Sequence, residues 1–269
     1  MLDLHIGQIK NVAVLLSGEC RTYNKCAQSI KHFFDLPNIN VKYFGHAWNT
    51  NTYKRNVDGV MSPVLESHDK QHILEDIQKY YPFEKIKVEE KFVQYSSWDN
   101  LFYSDAQANL LKKQYEFDNN MIFDIVVKCR YDLAFNPKLT LLDIIPNNRV
   151  LHQKTLYSEM FLMIKEWYLP NIDDVFFFGT SLTMDAVMSN MPYVVNRMYD
   201  EMYPSMKQYD NPFYKAGPGV NMYRWIVQQN IIVHRVLRSF QIYRIHDIPL
   251  DPVIDYHQIM RNQRTKKLH

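Results

Sequence analysis

The sequence predicts an α/β fold with a mostly parallel sheet flanked by helices, and three observations carry the prediction. The run FDIVVKCRYDLAF at residues 123–135 holds Ile125, Val126 and Val127 with no polar alternation, as a strand covered on both faces would. A second apolar run, NVAVLLS at residues 11–17, stops at Gly18 and gives way to a helical pattern, which opens a βαβ unit. Helical periods then alternate with further strand-like runs, and 269 residues are enough for one large domain with a substantial core.

Composition narrows the partners. Hydrophobic residues make up 46% and charged residues 22%, so disorder is not expected before the basic stretch NQRTKKLH. A formal charge of +2 gives no polyanion-seeking field, which argues against nucleic acid, although the basic end can touch an anionic surface. With only 7 glycines there is neither a Walker motif nor a GxGxxG loop. Cys20, Cys26 and Cys129 are odd in number and lack CxxC spacing, which argues against a disulfide framework or a structural zinc and fits a reducing compartment. The opening MLDLHIGQIK lacks the plan of a signal peptide. No apolar run approaches the roughly 18 residues of a membrane span, so the expected location is cytoplasmic.

In chain order, the first strand leaves through the polar loop Gly18, Glu19, Cys20, Arg21, Thr22. Thr22 or Asn24 can cap a helix running to about Phe34. Residues 41–48, VKYFGHAW, form a second strand ending on His46 and Trp48. An aromatic at a strand end can stack a base or a sugar; alternatively Trp48 caps the core and His46 is its satisfied neighbour. Residues 49–67 show no clear period and read as a loop, one that could serve as a lid. Residues 69–80 form an amphipathic helix ended by Pro82, and residues 86–92 an edge strand. Ser104 opens a helix to about Asn119, with Ala106, Leu110, Leu111 and Tyr115 facing inward. A right-handed crossover places its N-terminus at the ligand edge, so that Tyr103, Ser104 and Gln107 can face a pocket.

After Pro137 come shorter runs at 150–153, 160–164 and 171–180, then a helix from Ser181 or Thr183. Residues 200–219 form a Tyr/Met/Pro-rich connection, followed by a helix at 220–229 and strands at 231–236 and 241–245. The last two carry His234 and His246, for which a structural role is the commoner fate. Three positions invite chemistry. Arg130 and Asp132 sit where the central strand leaves the sheet, and ligands of open parallel sheets bind at carboxyl strand ends. An intramolecular salt bridge is the alternative there. Asp173 and Asp174 precede a buried strand, as acid/base groups or as turn acids.

Four segments together resemble a group of GT-A-type glycosyltransferases found in bacterial surface-polysaccharide loci and in large DNA viruses and phages. They are VAVLLSGECRTYNKC at 12–26, similar to an SGxxRTxxxC opening; FYSDAQANLLKKQYE at 102–116; FDIVVKCRYDLAF, similar to YDxVxxxRxDLxF; and DDVFFFGTSLTMD at 173–185. The resemblance implies a GT-A-like, Rossmann-type domain with a smaller, mixed C-terminal acceptor-side region. Residues 1–136 would be its nucleotide-sugar-binding half, 137–260 its acceptor-binding and catalytic half, and 261–269 a basic tail. It implies transfer of a sugar from a nucleoside diphosphate sugar, such as a UDP-sugar, to a glycan or other hydroxyl acceptor in polysaccharide biosynthesis.

In that group a DxD motif binds a divalent metal, Mn²⁺ or Mg²⁺, bridging the diphosphate. Here Arg130-Tyr131-Asp132 stands in its place, so that Asp132 is the remaining metal ligand, with His234 and His246 as further candidates, and Arg130 a possible phosphate clamp. Ser17, Gly18, Arg21, Thr22, Trp48, Ser104, Gln107, Arg130 and Asp132 are the implied nucleotide-sugar contacts, and Asp174 or Asp173 the base if the reaction inverts. Strand alternation places Asp174 with Phe176 and Phe178, and Asp173 with Val175 and Phe177. Two rival readings are a different α/β enzyme of phosphorylated ligands and a silent carbohydrate- or nucleotide-binding relative.

Overall fold

A computed structural model of the chain describes residues 4–57, 60–92, 97–145, 150–162, 170–189, 222, 226–236 and 240–242. In order, its elements are β1 (Leu4–His5), β2 (Asn11–Glu19), α1 (Tyr23–Phe33), β3 (Asn40–Trp48), β4 (Thr50–Val57), β5 (Val60–Ser67), α2 (Lys70–Tyr80), β6 (Phe83–Glu89), α3 (Ser97–Asp118), β7 (Ile125–Arg130) and β8 (Leu133–Phe135). There follow α4 (Leu141–Ile144), β9 (Val150–Leu151), β10 (Thr155–Leu162), β11 (Pro170–Gly179), α5 (Ser181–Met188), β12 (Ile232–Arg235) and β13 (Phe240–Ile242). The expected connection at 200–219, the basic tail and His246 lie outside the described residues.

Seven strands form the main sheet in the order β6-β3-β2-β7-β11-β10-β12. β6, β3, β2 and β7 pair in parallel, β11 runs antiparallel between β7 and β10, and β12 is parallel to β10. The expected α/β class, a mostly parallel sheet between helices, is the architecture observed. From β2 the chain steps outward to β3 and β6, then α3 returns it to β7 on the other side of β2. Strand order therefore reverses between β2 and β7, the place where open sheets part to form a crevice at their carboxyl ends.

Two apolar layers hold the helices to the sheet. On one face Val12, Val14, Leu16, Ile125, Val127 and Phe178 pack with Ile30 and Phe33 of α1 and Ile73 and Ile77 of α2. On the other, Ala13, Leu15, Phe44, Val126 and Phe177 meet Phe102 and Ala108 of α3 and Met184, Val187 and Met188 of α5. β2 is buried from Val12 to Gly18, which explains its unbroken apolar run. The Asp69 carboxylate accepts from the His72 N–H at 2.9 Å and caps α2 where its pattern starts. No helix among the described residues is long and apolar enough to cross a membrane.

Two expectations need correction. Residues 50–67 are not an irregular loop: β4 and β5 pair in register from Thr50–Ser67 to Val57–Val60, across the Asp58-Gly59 dipeptide. Such a dipeptide is a strong hairpin signal, masked here by polar flanks. α3 begins at Ser97, so Ser104 is no cap; Leu110 points out at 55% exposure. The buried face of α3 is instead partly polar, with Ser104, Asp105, Asn109 and Lys112 all sequestered. Period counting on apolar residues misses a face whose buried members are charges paired to neighbours.

Lys112 shows how such a face is satisfied. Its ammonium is fully buried and reaches Ser181 Oγ at 2.6 Å, Glu116 Oε2 at 2.8 Å and Asp185 Oδ1 at 2.9 Å, pinning α3 to the first turns of α5. Lys112→Met leaves two carboxylates facing one another with no cation. It is expected to cost about 3 kcal/mol, the low end for a broken buried pair because both acids keep some contact with water. Urea denaturation checks this, and a loss below about 1 kcal/mol would show that water replaces the ammonium.

Candidate functional site

The crevice between β2 and β7 is built by two strand exits. Ser17 of β2 is in register with Arg130 of β7, so both chains leave the sheet side by side. β2 leaves through Gly18 at φ +110°, a conformation that side-chain-bearing residues rarely adopt. β7 leaves through Tyr131, whose ring is fully buried, before β8 resumes. α1 holds this exit from below. Ser29 Oγ accepts from the Phe135 N–H at 2.6 Å, and the Phe33 ring stacks on Phe135 with centroids 4.0 Å apart.

Charge gathers where the exits meet. Asp132 is 1% exposed and takes a two-pronged bond from Arg130, Nε to Oδ1 at 2.9 Å and Nη2 to Oδ2 at 2.5 Å. Arg21 Nη1 stands 3.9 Å from the same Oδ2, while its Nε bonds Glu19 Oε2 at 2.9 Å. Lys91 pairs with the other oxygen of Glu19. The two guanidinium side chains keep 24% and 22% of their surface in solvent against 11% for Glu19 and 1% for Asp132, so in these pairs it is the cations that reach solvent.

Beneath this layer lies a buried polar network that sequence inspection only partly anticipated. Ser17 Oγ donates to Asp105 Oδ1 at 2.5 Å, and Lys128 Nζ lies 3.6 Å from Asp105 Oδ2, all three residues out of water. The Gly18 N–H donates to Ser104 Oγ at 2.8 Å, and that hydroxyl lies 2.7 Å from His46 Nδ1. Because the Glu89 carboxylate can only accept, the imidazole is assigned its proton on Nε2, which donates to Glu89 Oε2 at 3.0 Å, and Nδ1 accepts from Ser104 Oγ. Burial holds His46 below its ordinary 6.5, and the hydrogen bond from His46, ahead of that from Lys87, holds Glu89 at about 2. Trp48 is 2% exposed and stacks on Tyr103 at 5.6 Å.

These contacts sort the candidate residues. Gly18, Arg21, Arg130 and Asp132 come together at the crevice. Ser17, Thr22, Trp48 and Ser104 are buried and engaged below it: Trp48 caps the core rather than offering a stacking surface, and Thr22 Oγ1 faces Cys26 Sγ at 3.8 Å. Gln107 lies on the outer face of α3, accepting from Lys87 Nζ at 3.2 Å. Asp105, Lys128, Glu19 and Lys91 were missed, though a lysine inside the apolar run IVVKC was a legible sign of a buried partner. The three cysteines are buried and unbridged.

Asp173 and Asp174 lie on β11, upstream of Phe176, which pairs with Cys129 of β7. Because β11 runs against β7, their backbone falls past Cys129, alongside the exit at Arg130. The β10 pairing slips there, one residue between Ser158 and Met160 facing four between Phe177 and Ile172, so the acids sit in a bulge. Strict alternation does not reach them, since Val175 and Phe176 join the same core layer. His234 is level with Val127 through Tyr157 and Phe178, on the edge strand three positions from β7. That is about 14 Å at the usual strand spacing, so it cannot share an ion with Asp132.

Among the described residues the donor set does not fit a divalent cation. Both oxygens of Asp132 are taken by a guanidinium, and among the described residues no three His, Cys, Asp or Glu side chains gather to hold one. No family model and no curated protein matches the chain. Among solved structures, a glycosyltransferase involved in the glycosylation of the major capsid of PBCV-1 is similar at 9% identity and a TM-score of 0.39, covering 84% of this chain and 81% of that chain.

The histidine network makes a pH prediction. Below 6.5 the unfolded chain binds a proton that folded His46 refuses, so stability falls as the solution is acidified, by up to about 1.4 kcal/mol per pH unit. Glu89 adds its own loss only at lower pH, as its carboxylate is protonated from 4.5 towards about 2. Denaturant melts of the wild type and His46→Gln between pH 6.5 and 5 isolate the histidine. The variant is expected to be less stable at neutral pH but to show a shallower acid slope, and an equal slope would place the titrating group elsewhere.

Proposed function

We propose that the chain is a glycosyltransferase moving a sugar from a nucleoside diphosphate sugar to a hydroxyl acceptor, a glycan in the first instance. The observation that carries this reading is the pair of solvent-reaching guanidiniums, Arg21 and Arg130, at the two strand exits that flank the reversal of strand order. Fixed guanidiniums with two N–H groups in one plane suit phosphate oxygens. The four family-like segments support the same reading, because they fold onto β2 with α1, α3, β7 with β8, and β11 with α5, which pack together in and on the central sheet.

In the transfer, the bond from the anomeric carbon to the diphosphate oxygen breaks and its electron pair leaves on the diphosphate. A new bond forms from the acceptor hydroxyl oxygen, and the hydroxyl proton passes to a base. Developing negative charge on the leaving group falls where the guanidiniums stand, so the largest electrostatic demand of the reaction is met by groups already in place. Asp173 and Asp174 are the acids whose backbone lies beside that exit, and we assign the proton acceptor to this pair.

A screen of UDP, GDP, CDP and TDP sugars for donor-dependent transfer or hydrolysis tests the reading. Turnover of at least one donor is expected, and binding without turnover of any would return the chain to a silent relative. Parallel Asp173→Asn and Asp174→Asn variants refine it: one should lose about a hundredfold to ten-thousandfold in rate and the other little. Near-parental rates for both would remove these acids from the mechanism.

A further inference from the structure

We infer that the diphosphate is neutralised here by Arg21 and Arg130 in place of a divalent cation, and that Asp132 is a positioning residue for Arg130 rather than a metal ligand. The inference rests on the proposed glycosyl transfer for the identity of its ligand. A hard cation needs about six oxygens at roughly 2.0–2.6 Å, with carboxylate lone pairs open to it. Asp132 offers neither opening nor access: its side chain is 1% exposed, one guanidinium holds both oxygens, and a second stands 3.9 Å away. Glu19, the acid at the exit of β2, is joined through one oxygen to Arg21 and through the other to Lys91.

Exposure points the same way. Arg21 and Arg130 keep 24% and 22% of their side-chain surface in solvent, whereas Asp132 keeps 1%. A divalent cation approaching from solvent meets guanidiniums before that carboxylate, whereas a diphosphate meets groups that bind its oxygens. A guanidinium held by a buried carboxylate also loses little side-chain entropy on binding, which is the advantage a coordinated metal otherwise supplies.

Calorimetric titration of inorganic pyrophosphate, in EDTA and again with magnesium, reads this directly. Binding is expected in EDTA, with no requirement for the cation. Arg130→Met should weaken it about tenfold or more, as expected when a charge-assisted contact is lost, with Arg130→Lys intermediate. Asp132→Asn should weaken pyrophosphate binding alike with and without magnesium, because it acts through Arg130; thermal melts confirm that each variant is folded. Binding that appears only with magnesium, absence of binding in both conditions, or parental affinity in Arg130→Met overturns the inference. The two proposals separate cleanly. Donor turnover that EDTA abolishes removes this one and leaves glycosyl transfer standing, whereas metal-free pyrophosphate binding without turnover of any nucleotide sugar does the reverse.

Discussion

A carboxylate withdrawn from water must be met by a cation, and at Asp132 that requirement ties the two halves of the crevice together. Leaving such a charge unpaired costs several kcal/mol, more than any one loop contact contributes. Arg130 meets it from the same turn and Arg21 approaches it from the exit of the neighbouring strand, so one buried charge fixes the relative placement of two loops that are far apart in sequence. The turn itself is held by packing. Tyr131 is fully buried, and its hydroxyl would lie only 2.9 Å from a Cβ at position 45, so glycine there is what lets the ring seat against β3.

α3 extends the same logic below the crevice. It buries Asp105 against Lys128 of β7 and Ser17 of β2 at one level and Lys112 against Asp185 of α5 further along, with Glu116 of the same helix as a second partner of Lys112. Buried pairs of this kind add little net stability over well-packed apolar residues, but they penalise any displacement that separates them. The consequence for the crevice is stiffness. Gly18, the residue where β2 turns out, is bonded to Ser104, and the chain of contacts continues through His46 to Glu89 on the edge strand.

What the sequence disclosed and what it hid follow from the range of the forces involved. The strands β2 and β7 were legible because strands covered on both faces leave apolar runs without polar alternation, β3 was legible by its valine and aromatics, and the exits of β2 and β7 were legible because Gly18 and Arg130 interrupt those runs. The Arg130–Asp132 pair could be located, but only coordinates show that the carboxylate is sealed and the guanidinium exposed, a matter of what packs over each. The start of α3 was misplaced because Ser104 resembles a cap, and its hydroxyl is consumed instead by β2 and β3. Asp173 and Asp174 could not be given faces because a bulge, set by β10, breaks the two-residue period they were read by.

A clamp made of arginines has consequences that a metal site does not share. At about 4 Å and an effective dielectric near 20, a unit charge pair is worth roughly 4 kcal/mol, which is the scale on which Asp132 holds Arg130 in place. The carboxylate thus fixes the orientation of the guanidinium. In the proposed transfer such a site favours the more highly charged leaving diphosphate over the intact donor, because the attraction of fixed guanidiniums grows with the charge on the ligand. Preorganisation then matters more than affinity: the groups do not move when charge develops, and the turn built on Tyr131, Ser29 and Phe135 is what keeps them from moving.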